Sequence, residues 1–326
     1  MQEKAILISG GAGYLGRCTM DVLVKQGYLP VCVDNYSTGH RFESATIPCF
    51  ETDLSNRSEV ESLFQKLPPV VGIFHFAAKA LVEESNRYPV MYFENNLLST
   101  LYLAEQASRR KIPFVHSSSC AVYGMPEQQP ITEETPHNPI SPYGETKRSA
   151  ENILRQFSRS QGLRVLNLRY FNPAGWIEGA DHGERHEPET HVVPNVVRAG
   201  LAGKPVNIFG TDYPTPDGTC IRDFLHVEDL ALGHLSALTY LQTQADGFFD
   251  AINLGSGKGS SVKEVIDTCG RILGRPVQVI HAARRPGDPA KLVADTTKAQ
   301  RTLDWHPRHG LEAILRSQIA WESSHL

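Results

Sequence analysis

Two hydrophobic patterns alternate along the first half of the chain. Short apolar runs, which are typical of buried parallel strands, fall at 4–9, 30–34, 47–52, 70–77, 112–118 and 164–168. Apolar residues at helical spacing fall between these runs, at 15–26, 56–66, 89–109 and 143–161. This alternation predicts an α/β fold: a Rossmann-type, doubly wound parallel sheet with helices on both faces.

The pattern changes after Asn172. Residues 172–190 contain two prolines, three glycines and many charges, which predicts a long loop and a domain transition. Further helices are predicted at 192–202, 227–241, 262–273 and 311–323, and strands at 206–209, 251–254 and 277–280. We therefore expect a first domain at 1–172 and a smaller mixed α/β domain at 173–326, with some crossover of the chain between them.

Composition narrows the class of protein. The 326 residues are 40% hydrophobic and 21% charged, with a formal net charge of −4, which argues against general binding to nucleic acid or anionic membranes. We find no apolar stretch near the roughly 20 residues that span a bilayer and no signal peptide. Six scattered cysteines without a Cys-x-x-Cys pair indicate free thiols and a cytoplasmic location.

The first strand runs into a glycine-rich turn. Gly10, Gly13 and Gly16 follow the apolar run 4–9 and precede a helical pattern, which is the context of a dinucleotide-binding turn. Glycines allow backbone N–H groups to approach a pyrophosphate at the helix N-terminus. Asp34 ends the second strand, where a carboxylate accepts from ribose hydroxyls and repels a 2′-phosphate, so NAD is the expected cofactor. Arg41 leaves NADP open as an alternative.

A second motif suits proton transfer. Tyr143 and Lys147 are four residues apart, so on a helix they share one face. A phenol normally ionises near pH 10, and a neighbouring ammonium favours its phenolate form. The serine run 117–119 upstream supplies a hydroxyl that can orient a substrate oxygen. The pair alone is a common surface pattern and gains meaning from the nucleotide-binding turn.

Three histidines lie in the loop after Asn172. The spacing of His182, His186 and His191 matches no zinc-binding pattern. We expect a polar, solvent-facing loop there and no metal.

Ordered sequence blocks resemble the extended short-chain dehydrogenase/reductase family over nearly the whole chain. They are Gly10–Gly16, Asp34-Asn35, His75–Ala78, Ser117–Gly124, Ser141–Lys147 and Arg169–Pro173. Two further blocks, Phe209–Val227 and Arg284–Asp288, are similar to the UDP-glucose 4-epimerases of that family. The resemblance implies NAD-dependent inversion at C4 of a UDP-hexose, through a transient 4-keto sugar.

The resemblance also implies roles for individual residues. Ser119, Tyr143 and Lys147 would be catalytic, with Tyr143 as acid/base and Lys147 lowering its pKa. The implied cofactor-binding residues are Gly10, Gly13, Tyr14, Leu15, Gly16, Asp34, Asn35, Asp53, Leu54, Phe76, Ala77, Ala78, Asn96, Tyr143, Lys147 and Tyr170. The implied substrate-binding residues are Ser119, Tyr143, Asn172, Phe209, Arg222, Arg285, Asp288 and Leu292. Arginine suits a diphosphate because its planar fork donates two hydrogen bonds at once.

Several alternatives share this sequence core. Dehydratases of similar sequence carry an Asp-Glu pair where this chain has Cys120 and Ala121, which disfavours elimination of water. A simple dehydrogenase and a catalytically silent NAD-sensing protein remain open. Leu292 at the position that gates the sugar pocket predicts plain hexoses, with UDP-arabinose or UDP-xylose possible, over UDP-N-acetylglucosamine. Phe224 replaces a tyrosine of many relatives, so one hydroxyl contact near the nucleotide is expected to be missing.

Assembly is implied by the resemblance alone. Such proteins pair through two helices per subunit, here 89–109 and 143–161, which predicts a homodimer.

Overall fold

The computed structural model describes residues 4–285 and 287–325. The strands are β1 (Lys4–Ser9), β2 (Tyr28–Asp34), β3 (Cys49–Glu51), β4 (Val70–His75), β5 (Phe114–Ser119), β6 (Val165–Tyr170), β7 (Asn172–Ala174), β8 (Val206–Phe209), β9 (Ile221–His226), β10 (Phe249–Leu254), β11 (Gly259–Ser261), β12 (Val279–Ala282) and β13 (Lys291–Leu292). The helices are α1 (Tyr14–Lys25), α2 (Arg57–Lys66), α3 (Val82–Arg87), α4 (Pro89–Arg110), α5 (Pro142–Gln161), α6 (Val192–Ala202), α7 (Val227–Gln242), α8 (Val262–Leu273), α9 (Thr297–Leu303) and α10 (Leu311–Ser323).

The large sheet confirms the predicted fold class. Across the described residues it contains seven strands in the order β10-β6-β5-β4-β1-β2-β3, and the pairs are parallel. The order reverses direction between β1 and β4. In open α/β sheets, ligands bind beyond the carboxyl ends of the strands at such a switch point.

Both faces of this sheet are covered by helices. Because successive strand residues point to opposite faces, Ile6 and Ile8 pack with Leu230 of α7, whereas Leu7 packs with Leu103 of α4. These side chains are fully buried. Each burial stabilises the fold by about 1.5–3 kcal/mol, which explains why the strands have continuous apolar runs.

The second lobe is smaller and mixed α/β. Its core joins α6, α8 and α10 through Val196, Val265 and Ile314, among others. Strand β9 pairs with β7, β11 and β13, and β8 pairs with β12. The chain crosses over between the lobes, because β10 joins the large sheet and α7 packs on it. The domain bounds 1–172 and 173–326 stay a prediction.

The elements that the sequence pattern did not predict are mostly short. They are α3, α9, β7, β9, β11 and β13. The expected loop at 172–190 was wrong at its start, where Asn172–Ala174 form β7 and pair with β9. A strand of two or three residues has no measurable period, so the pattern could not reveal it. Within the described ranges, no helix is both long and apolar enough to cross a membrane.

Candidate active site

The glycine turn lies between β1 and α1. Gly10 has a φ of +71°, which favours glycine, and a Cβ there would stand 2.6 Å from the Ala77 nitrogen. A Cβ on Gly16 would stand 2.2 Å from the Gly10 oxygen. The turn therefore folds tightly against the start of α1, which Gly13 precedes. Because the glycines of this turn have no side chains, the turn forms a cradle of backbone N–H groups that fits a pyrophosphate at the helix N-terminus.

Asp34 lies at the carboxyl end of β2, beside this turn. Its Oδ2 accepts from the Ala12 N–H at 2.9 Å, and its Oδ1 accepts from the Tyr36 N–H at 2.8 Å. Burial raises the pKa of the Asp34 carboxyl, although these backbone donors oppose the rise. The carboxyl is thus fixed in orientation, with lone pairs left over for ribose hydroxyls.

A cleft joins the turn, Asp34 and the ends of β3 and β4. It encloses about 590 Å³, open to solvent, which is the size of a small-molecule site. Nine expected cofactor residues line it: Gly10, Gly13, Asp34, Asn35, Asp53, Leu54, Phe76, Ala77 and Ala78. Sequence reasoning missed Ser37, Thr38, Gly39, Thr52, Ser55, Lys79, Asn95 and Ser99. Most of these directly follow a strand, so extending each strand end by a few residues would have found them.

Other expected cofactor residues make contacts outside this lining. The Tyr14 hydroxyl donates to the Gly175 oxygen at 2.5 Å, and Leu15 packs against the core. Asn96 accepts from the Lys79 N–H at 2.8 Å and donates to Thr146 at 3.0 Å. The Tyr170 hydroxyl forms a hydrogen bond with the His234 ring. Of these side chains, Asn96 holds the lining residue Lys79 in place.

The catalytic candidates meet where β5 ends and α5 begins. Ser141 caps α5 by accepting from the Gly144 N–H at 3.1 Å, so Tyr143 and Lys147 occupy one face of its first two turns. A Cβ on Gly144 would stand 2.6 Å from the Ala121 oxygen, which shows how closely α5 approaches the segment after Ser119. The Lys147 ammonium donates to the Ser117 oxygen at 2.6 Å and lies 5.9 Å from the centre of the Tyr143 ring.

The electrostatics of this pair differ from the expectation. Burial raises the pKa of Tyr143 to about 12, although the neighbouring Ser119 hydroxyl lowers it. Burial also lowers the pKa of Lys147 to about 8, against the charge of Glu151. Because the ammonium is lost well below pH 12, it is no longer charged when the phenol titrates. Lowering of the Tyr143 pKa by Lys147 requires that the ammonium keeps its charge.

A buried polar network lies beneath the catalytic segment. Ser118 donates to Glu151 at 2.6 Å, and Arg169 donates to both Glu151 oxygens at 2.9 and 2.7 Å. Arg169 also donates to the Tyr123 hydroxyl at 2.8 Å, which in turn donates to Asn253 at 2.7 Å. The network ties β5, α5, β6 and β10 together. Its members are far apart in sequence, so no spacing signal could reveal it.

The expected substrate residues gather around β9. Asn172 pairs with Phe224 and Leu292 pairs with Arg222 in the strand register. The Arg222 guanidinium forms an ion pair with Asp288. Leu292 also packs on the cluster that contains Cys120, directly after Ser119.

A second arginine follows β12 and packs on the end of β8. Arg285 lies over the Phe209 ring at 4.0 Å, whereas Arg284 pairs with the exposed Asp212 at 2.6 Å. Residue 286 of this block lies outside the described residues.

The loop histidines are not in a purely solvent-facing loop. His182 contacts Asp21 of α1 at 2.8 Å, and its side chain is 13% exposed. His186 and His191 lie against the carboxylate of Glu184, whose side chain is 2% exposed. Histidine spacing alone could not predict these contacts, because they also depend on the glutamates between the histidines.

Comparison with known proteins assigns the chain to a family. The model of the NAD dependent epimerase/dehydratase family matches residues 6–255. The chain belongs to this family. The UDP-glucose 4-epimerase of Rhizobium leguminosarum bv. trifolii is 41% identical over 325 residues, which cover 99% of this chain and 98% of that protein.

Solved structures give the same result. The UDP-glucose 4-epimerase from Brucella ovis in complex with NAD is similar with a TM-score of 0.91 and 40% identity, over 98% of both chains. The enzyme from Bifidobacterium longum in complex with NAD⁺ and UDP is similar with a TM-score of 0.91 and 34% identity, again over 98% of both chains. The resemblance inferred from the sequence blocks is confirmed.

Proposed function

We propose that this chain is an NAD-dependent epimerase that inverts C4 of a UDP-hexose, interconverting UDP-glucose and UDP-galactose. The proposal rests on one observation. Ser119, Tyr143 and Lys147 lie together at the carboxyl edge of the sheet, and the glycine cradle lies at the same edge. The similarity to UDP-glucose 4-epimerases, at about 40% identity over nearly the full length of both chains, supports it.

Each catalytic residue has a role that follows from its position. The glycine turn and Asp34 would hold NAD⁺, which would supply the hydride acceptor for oxidation at C4 of the sugar. Tyr143 takes the proton of the 4-hydroxyl as the hydride leaves and returns it when the ketone is reduced. Ser119, which adjoins the Tyr143 hydroxyl, donates to the same oxygen. Lys147 holds the end of β5 through Ser117 and supplies positive charge beside the phenol.

Substrate binding falls to the second lobe. A 4-keto sugar that turns over between the two hydride transfers needs a loosely held hexose and a firmly held nucleotide. Asn172, Phe209, Arg222, Arg285 and Asp288 are the proposed UDP-binding residues. Arg285 lies over the Phe209 ring at 4.0 Å, and its guanidinium fork would donate to the diphosphate.

The segment after Ser119 disfavours dehydration. Cys120 and Ala121 begin a short helical turn directly after Ser119, and Cys120 is 8% exposed. Burial raises the pKa of the Cys120 thiol, so it is a poor base. Alanine has no titratable group. The segment therefore lacks the acid/base pair for loss of water across C5–C6.

The choice of sugar depends on the wall formed by Leu292. This side chain packs towards the turn after Ser119, so its bulk narrows the space beside the sugar. We expect plain hexoses to be preferred, with pentoses accepted, over UDP-N-acetylglucosamine. Replacing Leu292 by alanine should raise kcat/KM for the N-acetylated sugar relative to UDP-glucose. An unchanged ratio would contradict the role of Leu292.

The domains, the location and the assembly of the chain are also proposals. We propose a NAD-binding domain at 1–172, a substrate domain at 173–326, a cytoplasmic location and a homodimer through α4 and α5. These two helices pack against each other, and Val90 near the start of α4 is 67% exposed. Light scattering of the purified protein tests the dimer, which a monomer at micromolar concentration would refute.

The decisive assay uses purified protein without added NAD. The expected result is interconversion of UDP-glucose and UDP-galactose to equilibrium, together with NAD released on denaturation. Tyr143→Phe should retain NAD and lose at least ~100-fold in kcat, as expected for loss of a general acid/base. Tyr88→Phe, which changes an exposed tyrosine, is the matched control. Production of free NADH alone, or of a 4-keto-6-deoxy sugar, would refute the epimerase.

A further inference from the structure

A cluster of two glutamates and two histidines lies outside the proposed active site, in the loop between β7 and α6. Its members are Glu184, His186, Glu189 and His191, and one ligand atom from each lies within 4.8 Å of all the others. His191 Nδ1 is 2.9 Å from a Glu184 oxygen and 3.1 Å from a Glu189 oxygen. His186 Nδ1 is 3.4 Å from Glu184 and 3.7 Å from Glu189.

Three polar atoms of the cluster are buried without a hydrogen-bond partner among the described residues. They are Glu184 Oε2, His186 Nδ1 and Glu189 Oε2. The Glu184 and Glu189 side chains are only 2% and 6% exposed. The free Glu189 Oε2 is directed at His186 Nδ1, which is 3.7 Å away. Unsatisfied buried carboxylate oxygens are costly, and a bound cation here would relieve that cost.

The four side chains are grouped closely enough to surround a small tetrahedral cation. With metal–donor bonds of about 2.0–2.2 Å, neighbouring donors in a tetrahedral zinc site stand about 3.3–3.6 Å apart. The four histidine–carboxylate separations in this cluster run from 2.9 to 3.7 Å, on either side of that range, so small side-chain shifts would bring the donors to metal-binding distances. Imidazole ligands exclude Mg²⁺ and Ca²⁺, which prefer oxygen ligands alone. We propose that Glu184, His186, Glu189 and His191 form a binding site for a first-row divalent transition metal, with Zn²⁺ as the best fit.

The charge around the cluster favours a cation. Glu184, Glu189 and Glu322 contribute three negative charges, and Arg198 is the arginine that pairs with Glu189 and Glu322. Arg198 donates to Glu322 at 2.9 Å and stands 3.8 Å from Glu189, too far for a hydrogen bond. With neutral histidines the group carries a net charge of −2, which one divalent ion neutralises.

The position of the site suggests a structural role. The preceding part of the same loop is held on α1, because Tyr14 donates to the Gly175 oxygen at 2.5 Å and Arg17 pairs with Asp181 at 2.8 Å. His182 adds a contact with Asp21 at 2.8 Å. A metal at 184–191 would therefore fix the loop that supports the helix following the glycine turn. Its loss should weaken NAD retention without touching Tyr143 or Ser119.

The test uses the full chain without an affinity tag, dialysed against chelator and titrated with Co²⁺ and Zn²⁺. We expect one equivalent of Co²⁺ with the visible absorption of tetrahedral cobalt, displaced by one equivalent of Zn²⁺. His191→Asn and Glu189→Gln should each weaken binding by about 100-fold or more, since outer partners of metal ligands alone cost 10–100-fold. Both variants are made, so that one misfolded protein does not remove the test.

Two control variants make the result specific. His281→Asn changes an exposed histidine in β12, and His309→Asn changes the separate group His226, Glu228 and His309. Both should bind Co²⁺ as the unaltered protein does. The proposal is overturned if the unaltered protein binds no stoichiometric Co²⁺, which would leave only histidine–carboxylate ion pairs. It is also overturned if His191→Asn and Glu189→Gln, folded by circular dichroism, bind Co²⁺ as tightly as His281→Asn.

Discussion

Arg169→Met is expected to destabilise the protein strongly, because it leaves the buried carboxylate of Glu151 without its positively charged partner. The Arg169 and Glu151 side chains are 4% and 1% exposed, and the arginine makes two hydrogen bonds to the carboxylate. Methionine fills much of the volume but donates nothing. Glu151 would keep the hydrogen bond from Ser118 as its remaining described partner.

The magnitude follows from the burial of the pair. Removing one partner of a buried ion pair costs about 3–5 kcal/mol, which is a large share of a total stability of about 5–15 kcal/mol. Replacing both partners leaves no uncompensated charge, so Glu151→Gln with Arg169→Met should cost about 2 kcal/mol less than the sum of the single changes.

Urea unfolding of the four proteins at pH 7 measures this coupling. Burial alone would raise the pKa of Glu151, but Arg169 and Ser118 hold it below its usual value. The folded-state pKa is thus depressed, so the stabilisation is complete above the unfolded pKa and lost as pH falls through the folded value. The coupling should therefore be full at pH 7 and decline in acid below about pH 4.5. A coupling below about 0.5 kcal/mol at pH 7 would refute the reasoning.

Three further predictions test the site. Gly16→Ala should lower NAD retention measured on denatured protein, because its Cβ would stand 2.2 Å from the Gly10 oxygen; Gly310→Ala, with open space around it, is the control. Asp34→Asn should weaken NAD retention by about 1–3 kcal/mol in a nucleotide titration, since a charged acceptor for the ribose is lost. Glu151→Gln should lower the pKa of Lys147 below about 8, and so shift the alkaline limb of the pH profile of kcat/KM to lower pH.

The sequence predicted the nucleotide half of the molecule well, and the reason is physical. Strands buried on both faces need continuous apolar runs, and a helix that starts next to a pyrophosphate needs glycine at Gly10 and Gly16. Both requirements act on neighbouring residues, so both are visible in a linear pattern. The cleft residues such as Asp34 and Phe76 follow directly from those strand ends.

The rest depends on contacts between distant positions. Glu151 and Arg169 meet only because α5 packs beside β6, and Leu292 reaches the turn after Ser119 only through its pairing with β9. Glu184 is one of several charged residues in a polar loop, and no pattern in the sequence predicts its burial. Such residues can be recognised only when the chain is folded.

The order in which Lys147 and Tyr143 lose their protons can itself be tested. Lys147 has a pKa of about 8 and Tyr143 of about 12, so raising the pH removes the ammonium first. At 5.9 Å from the ring and an effective dielectric of about 20, one positive charge is worth about 3 kcal/mol, or about 2 pKa units.

An arginine stays charged at every accessible pH and favours the phenolate. In nucleotide-free protein, Lys147→Arg should therefore lower the pKa of Tyr143 by about 2 units. Lys147→Met should leave it unchanged. The tyrosinate absorbance, with Tyr143→Phe in each background as the blank, measures both. Equal pKa values of Tyr143 in the arginine and methionine variants would show that a positive charge at position 147 does not stabilise the phenolate. A shift in the arginine variant alone would mean that Lys147 activates Tyr143 only while something bound in the cleft keeps it protonated.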